Sequence, residues 1–206
     1  MISVLPYSLP DIQLLESEVN QSLVWIPQET YIVLGASNNV HDAVIAETVA
    51  ADNIPVLKRK SGGQTVMLTP RNVIISAIIT DEEINKPLHV FQEFNKLIIN
   101  TLQKSGVEEL STRGISDIAV GDKKILGSSI YRAKTKLFYH AVLNYGEPPG
   151  TFAKYLKHPS KEPDYRVGRT HTEFVTSLRE IGYCNSILQL QNDLREALSQ
   201  NKKTPK

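Results

Sequence analysis

The sequence predicts an α+β fold in which a mixed, largely antiparallel sheet is flanked by helices. Short β-branched or alternating apolar segments separated by turn residues recur along the chain and are typical of strands. Longer segments carry apolar residues at three- to four-residue spacing, which indicates amphipathic helices. Two strand-like segments also flank a two-residue turn, which favours antiparallel pairing.

The N-terminal half is predicted to start with a helix. Ile12, Leu15, Val19 and Leu23 would share one helix face, and Pro27 would end the helix. The next predicted elements are, in order, a strand at 31–34, a helix at 41–52, strands at 54–57, 65–68 and 73–80, and a long helix at 87–104.

The C-terminal half is predicted to continue with a hairpin. The segments 118–120 and 123–126 flank Gly121 and Asp122, a two-residue turn. The elements predicted after it are a strand at 137–145, helices at 151–158 and 172–181, and a last helix carrying Ile187, Leu190, Leu194 and Leu198. Thr170 and Glu173 fit a capping box.

Composition restricts the class of protein. The chain has 206 residues, which suits one domain, and we expect that domain at 1–200 with a basic tail at 201–206. A net charge of +1 gives no overall basic field, so we expect neither a nucleic acid nor a membrane partner. One cysteine allows no internal disulfide. With no evident secretory signal or membrane span, we expect a cytoplasmic protein.

A first candidate site is the turn at 58–65, where three cations precede Gly62 and Gly63. Glycines let a backbone approach an anion closely, and successive N–H groups in such a turn can bind it. A neighbouring cation such as Arg59 would neutralise a phosphate or carboxylate. A hairpin turn with solvated charges remains the alternative. The turn lacks the ending of a nucleotide P-loop.

A second candidate site is the predicted hairpin, which carries Asp117 and Lys124 on its two arms. A hairpin holds its arms within about 5 Å, so both side chains could face one ligand. A lysine fixed there could hold a phosphate and a carboxylate together, as acyl-adenylate formation requires. The alternative is a solvent-facing strand lysine. Side chains alternate along a strand, so either Lys123 or Lys124 points inward or the strand lies at an edge.

Together these motifs resemble lipoate–protein ligase A and the wider biotin/lipoate ligase superfamily. Residues 58–66 resemble the family's Arg-Arg-x-Ser-Gly-Gly-Gly-Ala-Val block. Asp117 and residues 122–128 resemble an Asn-Asp pair followed by Gly-x-Lys-Val-x-Gly-Ser, and residues 139–143 resemble a His-His-Gly-x-Leu-Leu strand. Residues 31–38 resemble the family's apolar strand followed by Gly-Arg-x-Gln-Asn. The blocks occur in order between about residues 31 and 145.

The resemblance implies a catalytic domain of the class II aminoacyl-tRNA synthetase and biotin protein ligase type. It implies two half-reactions, in which lipoate or octanoate attacks ATP to give an acyl-adenylate and an acceptor lysine then takes the acyl group. ATP and Mg²⁺ would be required. The acceptor would be a lipoyl domain of the E2 or glycine cleavage H protein type, and a separate accessory subunit is possible.

The resemblance also implies roles for individual residues. Lys124 matches the catalytic lysine, which contacts the adenylate phosphate and the acyl carbonyl. The residues that match substrate- or adenylate-binding positions are Arg59, Ser61, Gly62, Gly63, Asp117, Gly127, Ser128 and His140. No protein metal site is predicted, because the sequence has no paired Cys/His spacing.

Several positions depart from the family pattern, and two other functions remain open. Ala36, Gln64 and Leu68 replace an arginine, a glycine and a histidine of the family, which affects the expected substrate. One alternative is an ATP-independent octanoyl or lipoyl transferase, for which Cys184 would be the candidate nucleophile. The other is a non-catalytic subunit of a two-chain ligase.

Overall fold

The computed structural model describes residues 2–80, 82–133 and 135–201, so the predicted basic tail lies outside it from position 202 onward. The strands in these residues are β1 (Val4–Pro6), β2 (Gln21–Trp25), β3 (Tyr31–Leu34), β4 (Val56–Lys58), β5 (Val66–Leu68), β6 (Asn72–Ile79), β7 (Leu110–Arg113), β8 (Asp117–Val120), β9 (Lys123–Arg132) and β10 (Leu137–Asn144). The α-helices are α1 (Val40–Ala43), α2 (Ala46–Ala51), α3 (Pro87–Lys104), α4 (Pro149–Tyr155), α5 (His171–Phe174) and α6 (Ile187–Asn201). Pro10–Glu16, Glu82–Asn85 and Asp164–Arg166 form short 3-10 helices.

The described strands form two sheets. The larger has the order β2-β6-β10-β9-β8-β7, and all of its neighbouring strands are antiparallel. The smaller has the order β1-β4-β3-β5, with parallel pairing of β4 to β1 and β3 and antiparallel pairing of β3 to β5. The expected mixed, largely antiparallel α+β fold is confirmed.

The two faces of the larger sheet have different partners, because successive side chains on a strand point to opposite faces. On β10, Tyr139 and Leu143 lie in the main core, where Ile98 of α3 and Leu194 of α6 are also buried. The opposite face meets the smaller sheet, with Val142 of β10 packed into a cluster of Trp25, Val33, Leu57, Leu68 and Ile74. The space between the two sheets contains the candidate site.

The prediction of one helix from Pro10 to Pro27 was wrong. The structure has a 3-10 helix only over Pro10–Glu16, and the chain then enters β2 as an edge strand. Leu23 of β2 lies opposite Ser76 of β6. This pairing with a strand about 50 residues away outweighs the local helical spacing, and Val19 is left exposed.

Two further helices are shorter than predicted. The segment 41–52 divides into α1 and α2, because Val44 is extended and forms a bridge with Leu156. The predicted helix at 172–181 is limited to α5, because Val175 is extended and forms a bridge with Lys124. The capping box of Thr170 with Glu173 is confirmed.

The strand predicted at 123–126 continues as β9 to Arg132. The other predicted elements are present within a few residues of their expected bounds, and α3 matches its predicted range. The strands β1 and β7 were not predicted. No helix in residues 2–80, 82–133 and 135–201 combines the length and apolar character needed to cross a membrane.

Candidate active site

A cavity of about 790 Å³ lies between the two sheets and changes character along its length. Its apolar end is formed by aliphatic side chains of both sheets, namely Val33, Val66, Leu68, Ile74 and Val142. Its polar end is formed by the end of β7, the loop after it and the segment around the third 3-10 helix, namely Thr112, Arg113, Ser116, Asp164 and Tyr165. Lys124, Gly63 and His140 also line the cavity.

A β-bulge aims Lys124 into this cavity. Ile118 of β8 lies opposite Leu126, but the next residue, Ala119, lies opposite Lys124, so Ile125 is an extra residue in β9. A bulge shifts the alternation of side chains by one position. Ile125 and Leu126 are consequently both buried in the core, and Lys124 is free to face the cavity. Lys123 is exposed.

Asp117 forms an ion pair with Lys124 inside the cavity. Its Oδ1 atom lies 2.8 Å from Nζ of Lys124, and the side chains retain 12% and 28% of their exposure. The expectation that the two arms of the hairpin bring these groups together is confirmed. Gly127 lies beside them, and a Cβ atom built there would be 2.6 Å from Nζ of Lys124.

Arg59 supports the glycine turn, which is the turn at 58–65 that contains Gly62 and Gly63. Its Nη2 atom donates hydrogen bonds to the carbonyl oxygens of Gly62 at 2.9 Å and Gln64 at 2.8 Å, and Nη1 donates to that of Val33 at 3.2 Å. Burial lowers the pKa of Arg59 to about 10, so the guanidinium is still charged at neutral pH. Arg59 lines the cavity, but these donors are directed at the turn and at β3.

The glycine turn sits against the end of β3. Gly63 has a φ of +87°, a left-handed conformation that glycine adopts readily. Gly35 follows β3, and a Cβ atom there would overlap the carbonyl oxygen of Gly63. The backbone N–H of Ala36 donates to the carbonyl oxygen of Ser61 at 2.9 Å. The turn is therefore fixed by close backbone packing.

His140 and Ser61 form a hydrogen bond beneath the turn, with 2.8 Å between Nε2 and Oγ. Ser129, which lies opposite His140 in the sheet, donates to Ser61 at 3.5 Å. Burial lowers the pKa of His140 to about 3, and the nearby positive charge of Arg59 acts in the same direction. The imidazole is therefore neutral at physiological pH.

The structure brings most of the predicted site residues to one cavity. The residues that line it are Arg59, Gly63, Asp117, Lys124, Gly127, Ser128 and His140. Ser61 lies behind the turn, buried against His140. Gly62 is exposed and does not line the cavity. The hydroxyl of Ser128 donates a hydrogen bond to the carbonyl oxygen of Ser116, and the hydroxyl of Ser116 donates one to the carbonyl oxygen of Ser128. These two bonds join β9 to the loop after β7.

Nothing in the sequence pattern indicated a site role for the segment 162–165. The hydroxyl of Tyr165 donates to Oδ2 of Asp117 at 2.9 Å. No local pattern marks this contact, which joins residues 48 positions apart. Arg166 and Arg169, which follow this segment, make internal contacts. Arg166 is buried, and Arg169 bonds to Asp122 at 2.7 Å.

Other potential chemistry lies outside the cavity. Cys184 is a free, exposed thiol and is not among the residues that line it. Within the part of the chain that the structure describes, no three His, Cys, Asp or Glu side chains come together as a metal-binding group.

Comparison with known sequences identifies the family. Residues 13–199 match the family model of the lipoyl protein ligase A/B catalytic domain. The chain is 37% identical over 112 residues to lipoate–protein ligase 1 of Staphylococcus aureus, which is 54% of this chain and 33% of that protein. It is 32% identical over 124 residues to the lipoate-protein ligase LplJ of Bacillus subtilis, which is 60% of this chain and 36% of that protein. The matches thus span about a third of each relative.

Solved structures show the same fold. A bipartite lipoate protein ligase of Thermoplasma acidophilum, solved with its E2 lipoyl domain, has a TM-score of 0.80 at 16% identity. The match covers 98% of this chain and 83% of the Thermoplasma chain. A lipoate-protein ligase A bound with ATP has a TM-score of 0.74 at 18% identity, with coverages of 89% and 72%. LipL1 of P. falciparum in complex with lipoate has a TM-score of 0.72 at 19% identity, with coverages of 90% and 48%. The chain belongs to the lipoyl protein ligase A/B catalytic domain family.

Proposed function

We propose that this chain is an ATP-dependent lipoate–protein ligase that forms lipoyl-AMP and transfers the lipoyl group to a lysine of an acceptor lipoyl domain. The observation that carries the proposal is the Lys124 ammonium in a cavity that is lined by both aliphatic and polar side chains. The names of the sequence relatives and the ATP-bound and lipoate-bound structural relatives support it. We further propose that residues 1–200 act as one catalytic domain.

The aliphatic end suits the acyl chain. Val33, Leu68, Ile74 and Val142 offer only hydrocarbon contacts, so they favour burial of an apolar tail and leave its carboxylate towards Lys124. Octanoate would fill this end in the same way. Leu68, which stands where the family has a histidine, lines this aliphatic end and makes it more apolar.

Lys124 supplies the charge that the first step needs. When the carboxylate attacks the α-phosphate of ATP and pyrophosphate leaves, negative charge develops on the phosphate oxygens. An ammonium already fixed by Asp117 stabilises that charge without reorganising. The backbone N–H groups of the glycine turn are the proposed second contact with the same anion.

The acceptor step uses the same groups. The amine of the acceptor lysine attacks the acyl carbonyl of the mixed anhydride, an amide bond forms, and AMP leaves. Lys124 then stabilises the charge on the departing phosphate. His140, which is neutral and partly buried, holds Ser61 and so the turn, and we assign it no proton transfer.

Mg²⁺ would enter with the phosphates of ATP. It prefers oxygen ligands and retains several waters, so it needs few protein groups. The carboxylates of Asp117 and Asp164 line the polar end and are the candidates to contact it. A dedicated protein metal site is not part of the proposal.

The partners and the compartment are also proposed. The bipartite archaeal ligase with its E2 lipoyl domain supports an acceptor of the lipoyl-domain type, whether from an E2 or a glycine cleavage H protein, and makes an accessory subunit reasonable. A cytoplasmic location and the absence of nucleic acid and membrane partners stay predictions from the sequence.

A mass measurement tests the function. The purified chain is incubated with ATP, Mg²⁺, lipoic acid and a lipoyl domain, and the domain is weighed. We expect a lipoyl adduct that needs ATP, and a parallel reaction with synthetic lipoyl-AMP that does not. Failure with both donors would contradict the ligase assignment. Transfer from an octanoylated carrier protein without ATP, lost in Cys184→Ser, would support the transferase instead.

A further inference from the structure

The carboxylate of Asp117 has two different partners in the cavity. Its Oδ1 atom lies 2.8 Å from Nζ of Lys124, and its Oδ2 atom accepts a hydrogen bond from the hydroxyl of Tyr165 at 2.9 Å. The three side chains therefore form a row in which Tyr165 and Lys124 hold opposite sides of one carboxylate. A carboxylate with both oxygens engaged can rotate little.

Tyr165 is itself fixed by contacts that do not involve Asp117. Its ring packs on the ring of Phe174 with 5.0 Å between centroids. Its carbonyl oxygen accepts from Nη2 of Arg169 at 2.8 Å, and Arg169 also bonds to Asp122 in the turn between β8 and β9. Tyr165 is thus tied to the same hairpin that carries Lys124.

The backbone just after Tyr165 is strained. A strained backbone persists where contacts with neighbouring residues hold the segment in place. Val167 has a φ of +52°, a left-handed conformation that β-branched residues rarely adopt. The next residue, Gly168, donates its N–H to Oε1 of Glu162 at 2.8 Å, which closes the segment 162–168 on itself. The segment is therefore a preformed unit that presents the tyrosine hydroxyl to the cavity.

The hydroxyl acts as a donor. Burial raises the pKa of Tyr165 above its ordinary value, and the charge of Asp117 acts in the same direction. The group therefore keeps its proton throughout the physiological range and donates to the carboxylate.

We propose that Tyr165 is a positioning residue for Lys124: its hydroxyl orients Asp117, and Asp117 in turn holds the ammonium beside Gly127 in the cavity before any ligand binds. The effect on catalysis rests on the proposed function, but the effect on the ammonium does not. Nothing in the local sequence around Tyr165 or in the family resemblance assigns it this role.

The chain offers a matched control outside the cavity. Tyr155 donates to Oδ2 of Asp52 at 2.6 Å, and Nζ of Lys154 lies 2.6 Å from the same oxygen. These residues form a second row of lysine, aspartate and tyrosine, and none of them lines the cavity. Tyr155→Phe therefore removes the same kind of hydrogen bond without touching the candidate site.

The first measurement needs no substrate. A two-dimensional NMR experiment that detects lysine ammonium groups is recorded at low temperature, and the Lys124 signal is assigned by its loss in Lys124→Ala. We expect the signal in wild type and Tyr155→Phe, and we expect it to broaden beyond detection in Tyr165→Phe because the ammonium exchanges faster with water. Its absence from wild type, or its persistence in Tyr165→Phe, would overturn the proposal.

The second measurement is kinetic. We expect Tyr165→Phe to lower kcat for pyrophosphate release from ATP and lipoate roughly tenfold, with KM for lipoate changed less than about twofold. Rates are normalised to the folded fraction, and Tyr155→Phe should match wild type. If Tyr165→Phe does not fold, Phe174→Leu, which removes the support of the ring, replaces it in both measurements with the same expectations.

The two measurements separate the two proposals. If wild type releases no pyrophosphate and ligates nothing, the proposed function fails, and the ammonium signal still decides whether Tyr165 positions Lys124. If wild type is active, an unchanged kcat in Tyr165→Phe would overturn the positioning role.

Discussion

Gly127 lies directly beside the ammonium group of Lys124. A Cβ atom at position 127 would be 2.6 Å from Nζ and 2.7 Å from Cε of Lys124, closer than non-bonded atoms approach. Residues three apart on a regular strand face opposite sides, so this contact depends on the bulge at Ile125. The lysine occupies space that any side chain at 127 would take.

Replacing Gly127 by alanine should therefore impair catalysis more than folding. The atoms that the new methyl group meets belong to the flexible end of Lys124, which can move away. We expect ligation to fall about 10- to 100-fold, because a displacement of about 1 Å at a reacting group can cost that much. The lipoylation rate and the free energy of unfolding are measured on the same protein.

Gly150 is the matched control for that substitution. It lies in α4, and a Cβ atom there would meet nothing within 4 Å. Gly150→Ala should keep wild-type ligation and stabilise the protein by about 0.5–1 kcal/mol. Equal ligation rates in Gly127→Ala and Gly150→Ala would show that Lys124 does not need the space.

Gly35→Ala should disturb the glycine turn itself. The new methyl group would overlap the carbonyl oxygen of Gly63, which is backbone and cannot move without the turn. We expect a loss of about 1–3 kcal/mol in the free energy of unfolding and weaker binding of a non-hydrolysable lipoyl-AMP analogue. Denaturant unfolding and calorimetry measure the two effects, and unchanged analogue affinity would separate the turn from the ligand.

Arg59→Lys tests whether the turn depends on the shape of the guanidinium. Arg59 reaches the carbonyl oxygens of Val33, Gly62 and Gln64 at once, and a lysine ammonium cannot reproduce that fork. We expect about tenfold weaker binding of the lipoyl-AMP analogue although the charge is kept. An affinity equal to wild type would mean that charge alone is needed.

His140 should make the protein less stable in acid. Its pKa is about 3 in the folded protein because of burial, against about 6.5 when unfolded. Between these values the unfolded chain binds a proton that the folded chain does not, so stability falls as pH decreases from about 6.5 towards 3.

His140→Gln removes that titration. From pH 6 to pH 4, wild type should lose about 1 kcal/mol more per pH unit than this variant, as measured by denaturant unfolding at each pH. His171, whose pKa burial lowers to about 4, contributes equally to both proteins. Parallel stability curves would indicate that His140 titrates normally.

Local signals explain what the sequence predicted well. The helix α3 matches its predicted range because Pro87 stands at its first position and Gly106 lies just past its end. The turn of Gly121 and Asp122 is also specified locally, and it suffices to place Asp117 near Lys124.

Contacts between distant residues explain what was missed. Leu23 looks helical until β6 pairs with it, and the hydroxyl of Tyr165 reaches Asp117 from 48 residues away. The bulge at Ile125 has no glycine to mark it, so the sequence left open whether Lys123 or Lys124 points inward. The exposure of Gly62 likewise depends on how Arg59 folds the turn.

The most direct test compares the two adjacent lysines. Lys124→Ala and Lys123→Ala are each incubated with ATP, Mg²⁺, lipoic acid and a lipoyl domain, and the fraction of domain carrying the lipoyl mass is followed with time. Because only Lys124 faces the cavity, we expect Lys124→Ala to remain folded and lose ligation, and Lys123→Ala to ligate at the wild-type rate. A folded Lys124→Ala that ligates as fast as wild type would contradict the account.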